Sequence, residues 1–90
     1  MLEIVPSNAF KRDLRRAKKR GRNLASLYDV LTLLAREEPL GEKYRDHALT
    51  GDYKGFRECH IEPDWLLVYR IEFDALALFL FRTGTHADLF

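Results

Sequence analysis

The chain holds three histidines, His47, His60 and His86. Imidazole titrates near neutral pH, so a pair of histidines can supply both the base and the acid of one reaction. The richest stretch is His60-Ile61-Glu62-Pro63-Asp64-Trp65. A histidine closes one predicted strand there, Pro63 turns the chain, and Asp64 and Trp65 open the next strand. Asp64 is suited to orienting an imidazole or to taking a proton itself. His47 and His86 fall in the predicted loops on either side, where a rigid sheet presents side chains to a ligand. We read the three histidines and Asp64 as one acid–base site. Spacing alone does not bring them together, and a lone histidine is more often a surface or core-edge residue.

Other residues near these in sequence suit a nucleic-acid substrate. Trp65 and Phe90 offer aromatic faces to bases, each stack being worth about 1–3 kcal/mol. Trp65 reads equally as a core residue at the start of a strand, whereas Phe90 stands in a short polar tail. Lys54, Arg57 and Arg82 are cations placed to hold phosphates, or else to solvate a sheet edge. A metal site is poorly supported, because no His-Glu-x-x-His helix and no cysteine pair is present. No cofactor is expected. Cys59 precedes His60 on the same strand and therefore faces the opposite side, as a buried structural thiol. The chain has no phosphate-binding glycine loop, no Gly-x-Ser-x-Gly elbow and no helix-turn-helix signature.

The elements that must position these groups follow from periodicity. Residues 1–6 alternate as a short strand ended by Pro6. Ser7 or Asn8 caps a first helix carrying Phe10, Leu14 and Ala17 on one stripe, with Gly21 as its stop. Asn23 caps a second helix with Leu24, Leu27, Tyr28, Leu31, Leu34 and Ala35 as its apolar face, ended by Pro39 and Gly41. The short link between them predicts an antiparallel helical hairpin. Residues 39–55 read as a long loop carrying His47. Three strands follow, over 56–61, 65–72 and 76–82, with connections short enough for an antiparallel meander. His86 to Phe90 reads as a tail. The expected class is α+β: an N-terminal strand, a helical hairpin, then a three-stranded meander completing a mostly antiparallel sheet.

Ninety residues predict one domain, spanning 1–90, with one modest core. The hydrophobic fraction of 47% supplies that core. One cysteine excludes an internal disulfide and fits a reducing compartment. No apolar run approaches the roughly 20 residues of a membrane span, and no secretion signal is visible. A cytoplasmic protein is expected. The net charge of +1 conceals an asymmetry, since Lys11 to Arg22 holds eight basic residues and one acid, Asp13. That segment suits a nucleic-acid backbone or an acidic partner.

Three stretches carry a family resemblance. They are Tyr44-Arg45-Asp46-His47-Ala48-Leu49-Thr50-Gly51, Gly55-Phe56-Arg57-Glu58-Cys59-His60-Ile61-Glu62-Pro63-Asp64-Trp65, and Arg82-Thr83-Gly84-Thr85-His86-Ala87-Asp88-Leu89-Phe90. With these, the sequence resembles the YafQ toxins of the RelE/ParE superfamily, from bacterial type II toxin–antitoxin systems. The resemblance runs end to end and is most specific in the C-terminal half. It implies a RelE-like fold and a ribosome-dependent endoribonuclease that cuts messenger RNA in the ribosomal A site, in the bacterial cytoplasm. It places catalytic roles on His47, His60, Asp64 and His86, and RNA contacts on Trp65 and Phe90. A metal-independent attack by the RNA 2′-hydroxyl follows, with His86 as acid, His60 or Asp64 as base, and Arg82 and Lys54 on the phosphate. The implied partner is a small antitoxin whose acidic segment covers the basic helices. Two other readings share the fold or the charge pattern: a non-enzymatic gyrase-binding toxin like the ParE branch, and a plain interaction module.

Overall fold

The computed structural model describes Met1–Phe90. Its order is β1 (Glu3–Pro6), α1 (Asn8–Lys19), α2 (Leu24–Ala35), β2 (His47–Ala48), β3 (Arg57–Glu62), β4 (Trp65–Glu72), β5 (Ala77–Gly84) and α3 (His86–Leu89). The expected strand, two helices and meander are all present. The sheet has five strands in the order β1-β5-β4-β3-β2. Only β1 and β5 run parallel, and the other pairs are antiparallel.

The predicted caps form. Ser7 Oγ accepts from the Phe10 N–H at 2.9 Å and donates to the Phe81 carbonyl at 2.7 Å, so one hydroxyl starts α1 and ties it to β5. Gly21 takes the left-handed φ of 75° beyond the C-cap of α1. Its N–H donates to Lys18 O and the next N–H, of Arg22, donates to Ala17 O, which satisfies two end carbonyls. The Asn23 side chain accepts from Ala25 N–H to open α2.

Both helices lie on one side of the sheet. The main core joins Phe10, Leu27, Val30, Leu31 and Leu34 to Cys59, Trp65, Leu67, Tyr69, Leu78 and Leu80. Strand alternation sends the intervening residues to the other face. There Leu66 and Val68 are covered by Leu89 of α3, with Leu49, Phe56 and Phe81 around them.

Three departures from the sequence reading have simple causes. The stretch expected as a loop folds into two short 3-10 turns and the two-residue strand β2, which pairs His47 with Glu58. The predicted tail is a single helical turn. Thr85 Oγ1 accepts from Asp88 N–H at 3.1 Å while the Asp88 carboxylate accepts from Thr85 N–H at 2.9 Å. Tyr28 turns outward, 51% exposed, and Val30 takes the core position instead.

The end of α2 carries a strained residue. Glu37 sits at φ 57°, in the place glycine usually takes beyond a helix C-cap. Its N–H bonds Leu34 O and that of Glu38 bonds Leu33 O, so the turn is held. Replacing Glu37 by Gly is expected to stabilise the fold by about 0.5–1 kcal/mol, read as a higher midpoint in urea.

Candidate active site

The open face of the sheet gathers most of the predicted groups. On β3, Glu58 and His60 share this face and pair with Val68 and Leu66 of β4. Leu66 in turn pairs with Gly84 of β5, two residues before His86. Two inter-strand steps put the backbones of His60 and Gly84 about 10 Å apart. His86 then opens α3, which packs back on Leu66 and Val68 through Leu89. Its ring lies 5.0 Å from that of Phe90, and Phe90 makes an edge contact with Tyr53 at 5.2 Å. Lys54 follows Tyr53 and is exposed.

Two imidazoles are fixed in the same manner. His47 Nδ1 lies 2.7 Å from Arg45 O, and His60 Nδ1 lies 3.2 Å from Pro63 O. A carbonyl only accepts, so each Nδ1 carries the proton and each Nε2 is left for chemistry. His47 Nε2 stands 3.5 Å from Glu58 Oε1, so a proton placed there faces a carboxylate.

Glu58 was not expected in the site. It is 6% exposed and is flanked on β3 by Arg57 and Cys59. Strand period 2 would have placed it beside His60's face, and the missing signal was β2, which brings His47 to it.

His47 is positioned from beneath. Its neighbour Asp46 accepts from the Tyr69 hydroxyl at 2.5 Å and from Arg57 Nη2 at 2.9 Å. Burial and then this carboxylate push the Tyr69 phenol well above its ordinary range, so it stays a donor. Arg57, expected near phosphate, is thus committed to Asp46.

Trp65 does not take the RNA-facing place expected of it, and Asp64 lies in the expected turn but is ion-paired. Trp65 is 1% exposed and belongs to the helix-side core, since β4 alternation points it away from Leu66 and the open face. Arg22 lies over its ring at 5.5 Å. It is therefore a core residue and not a stacking platform. Asp64 is exposed at the β3–β4 turn and receives Arg22 Nη1 at 3.0 Å. That hydrogen bond and the guanidinium charge hold its carboxyl below the usual range, which makes it a poor base.

Arg82 is anchored rather than free. Its Nε donates to Asp13 Oδ2 at 2.6 Å and its Nη2 to Oδ1 at 3.1 Å. Asp13 also accepts from Thr83 N–H at 3.1 Å and Arg16 Nη2 at 2.7 Å. Burial alone would raise the Asp13 carboxyl, but these donors outweigh it and leave it lowered. The Arg82 cation lies within electrostatic reach of Tyr53 and Asp88. Arg20 donates to Asp88 at 2.7 Å, which ties α3 to α1. Asp88 is held well below the usual carboxylate range by Arg20 first and by the Thr85 N–H next.

Cys59 is fully buried, as expected, and burial pushes its thiol far above the ordinary range. No thiolate nucleophile is available there.

Fold and site together define a small α+β domain that presents imidazole acid–base groups and an aromatic C-terminus on an open sheet face. Residues 2–90 match the family described as bacterial toxin of type II toxin–antitoxin system, YafQ. The chain is 43% identical over 89 residues to the mRNA interferase toxin YafQ of Escherichia coli strain K12, covering 98% of this chain and 95% of that one. A metal-bound toxin from Helicobacter pylori superposes with a TM-score of 0.95 at 50% identity over the full length of both chains. The E. coli DinJ–YafQ toxin–antitoxin complex contains a chain that superposes with a TM-score of 0.88 at 41% identity, covering 99% of this chain and 97% of that chain. The protein belongs to the YafQ family of type II toxins.

The Asp13 network makes two predictions. Asp13→Ala strands Arg82 and the Thr83 N–H and is expected to cost about 3 kcal/mol, seen as a melting temperature lower by on the order of 15 °C. The three lowered carboxyls, Asp13, Asp64 and Asp88, also set the acid response. A depressed folded-state pKa contributes stability above the unfolded value of 3.8, and that stability is lost as pH falls through the depressed values. Urea midpoints are expected to hold from neutral pH to about 5 and to fall steeply below 4, with a shallower fall in Asp88→Asn.

Proposed function

We propose that this toxin is a ribosome-dependent mRNA interferase that cuts messenger RNA by acid–base attack of the 2′-hydroxyl. One observation carries the reading. The open face holds two imidazoles whose Nδ1 is fixed by a backbone carbonyl, and a third, His86, beside the C-terminal aromatic.

The 2′-oxygen attacks the adjacent phosphorus, and the bond from phosphorus to the 5′-oxygen breaks. The products are a 2′,3′-cyclic phosphate and a free 5′-hydroxyl. The RNA supplies its own nucleophile, so two proton transfers suffice. His60 takes the 2′ proton at Nε2, and its lone pair makes it a better base than the Arg22-bound Asp64. His86 protonates the departing 5′-oxygen. His47, backed by Glu58, is the second imidazole near His60 and steadies the charge as the proton moves. Arg82, held in register by Asp13, presents the rest of its guanidinium to the phosphate, and Lys54 adds a second cation. Phe90 stacks on a base and helps keep the reacting groups in line.

The chain works in the bacterial cytoplasm beside the ribosome. No helix in it is long and apolar enough to cross a membrane. A small antitoxin neutralises it, with an acidic segment on α1. Arg16, Arg20 and Arg22 already hold Asp13, Asp88 and Asp64, so that segment meets the exposed Lys11, Arg12, Arg15, Lys18 and Lys19.

The test adds the purified protein to a translating extract and maps message ends. Codon-phased cuts are expected from the wild type. His86→Ala is expected to cut about 10²–10⁴-fold more slowly, and His60→Ala to fall in the same range. Asp64→Asn is expected to retain most activity. A strong loss in Asp64→Asn with a mild one in His60→Ala would reverse the base assignment, and intact message with wild type would overturn the reading.

A further inference from the structure

Two hollows meet at His60. One, about 350 Å³, runs toward α2 past Tyr44 and is edged by Ser26, Asp29 and Glu62. The other, about 460 Å³, is lined by Glu42 and Arg45. Lys43, His60 and Pro63 line both, so the two adjoin along these residues as a two-part trough. Its volume is in the range of small-ligand sites.

The trough is polarised. The α2 half holds two carboxylates, Asp29 and Glu62, a hydroxyl and the half-buried Tyr44 ring. Glu62 is shared with Arg22, whose Nη1 lies 3.8 Å away, while Asp29 is exposed at the rim. The other half holds Lys43 and Arg45 against the single carboxylate of Glu42. Lys43 Nζ lies 5.0 Å above the Tyr44 ring, at the junction of the two halves.

Arg45 links the trough to the site. It occupies the left-handed region at φ 48°, a costly conformation for a residue with a side chain. Its N–H bonds Glu42 O at 3.0 Å, and its carbonyl accepts the Nδ1–H of His47 at 2.7 Å. The same residue thus fixes one imidazole through its backbone and lines the hollow of another with its side chain.

We propose that this trough is a nucleotide subsite for the residue of the message flanking the scissile bond. This rests on the nuclease reading and extends it. The backbone phosphate lies on Lys43 and Arg45. The base lies beside the exposed edge of Tyr44 and Lys43, its amino edge toward Asp29 and Glu62. Ionised carboxylates only accept hydrogen bonds, so the subsite favours bases with an exocyclic amino group and disfavours uracil. Guanine, with adjacent N1–H and amino donors, suits one carboxylate in a two-point contact.

The test is an NMR titration of the ¹⁵N-labelled protein with guanosine 5′-monophosphate and, separately, uridine 5′-monophosphate. The guanosine nucleotide is expected to shift the amides of Asp29, Tyr44 and Arg45, with an affinity about tenfold above that of uridine. Asp29→Asn is expected to shrink that ratio severalfold. The Lys43→Ala/Arg45→Ala double variant is expected to weaken both nucleotides alike. Amide dispersion of each variant confirms its fold. No trough shifts at roughly 10 mM nucleotide would overturn the proposal, as would shifts confined to Tyr53, His86 and Phe90. So would a ratio unchanged in Asp29→Asn. Message mapping with the wild type separates the two readings: cutting with an inert trough sinks only the subsite. A responsive trough with uncut message sinks the nuclease and leaves nucleotide binding in place.

Discussion

The buried carboxylate of Asp13 is the constraint on which the rest of the arrangement turns. It is the only acid in the basic helix α1, and it is 4% exposed. A lone buried carboxylate would be strongly unfavourable. Here four donors from three residues converge on it: Arg82 twice, the Thr83 N–H and Arg16. The consequence is geometric. β1 pairs with β5 as far as Pro6 and Leu80, and beyond that point Asp13 holds the strand to α1. Thr83 adds its own tie, donating to Leu66 O at 2.7 Å. The end of β5, from which α3 and His86 depart, is therefore fixed from two sides.

The same economy explains the charge of the segment from Lys11 to Arg22, which comprises most of α1 and the turn after it. Read as a string, eight cations in twelve residues look like a surface made for an acidic partner. Three of them are structural. Arg16 serves Asp13, Arg20 clamps the capping box of α3 through Asp88, and Arg22 covers Trp65 while holding Asp64. Gly84 has its part in this, because a Cβ there would stand 3.0 Å from the Asp88 side chain. The end of β5 and the turn that carries His86 are thus both held by carboxylates paired with arginines of this segment.

What was legible in the sequence was whatever has a period. The helices, the meander and the caps at Ser7 and Asn23 could be read because apolar spacing and cap chemistry are local. Cys59 and His60 on opposite faces followed from alternation alone. The same rule applied to Trp65 and Leu66 would have sent the tryptophan to the core, had the helix side of β4 been identified. β2 was hidden because two residues have no period, and with it went the role of Glu58. The helical turn of α3 did leave a trace, since Thr85-His86-Ala87-Asp88 has the spacing of a capping box. The ties between Asp13 and Arg82 and between Asp46 and Tyr69 lie 69 and 23 residues apart, and no local signal joins them.

His60 and Asp64 show how such distant ties set the surroundings of two neighbouring residues. Both residues belong to the same short motif, and both can in principle accept a proton. The difference arises from Arg22, a residue of the basic segment far away in sequence. Its guanidinium stabilises the ionised carboxylate of Asp64 and lowers its proton affinity. The hydrogen bond of His60 goes to a neutral carbonyl, Pro63 O, which orients the ring without drawing on the lone pair of Nε2. One turn of chain therefore sets a carboxylate committed to an ion pair beside an imidazole oriented by a backbone carbonyl. The basic segment that reads as a partner surface, through Arg22, is what separates them.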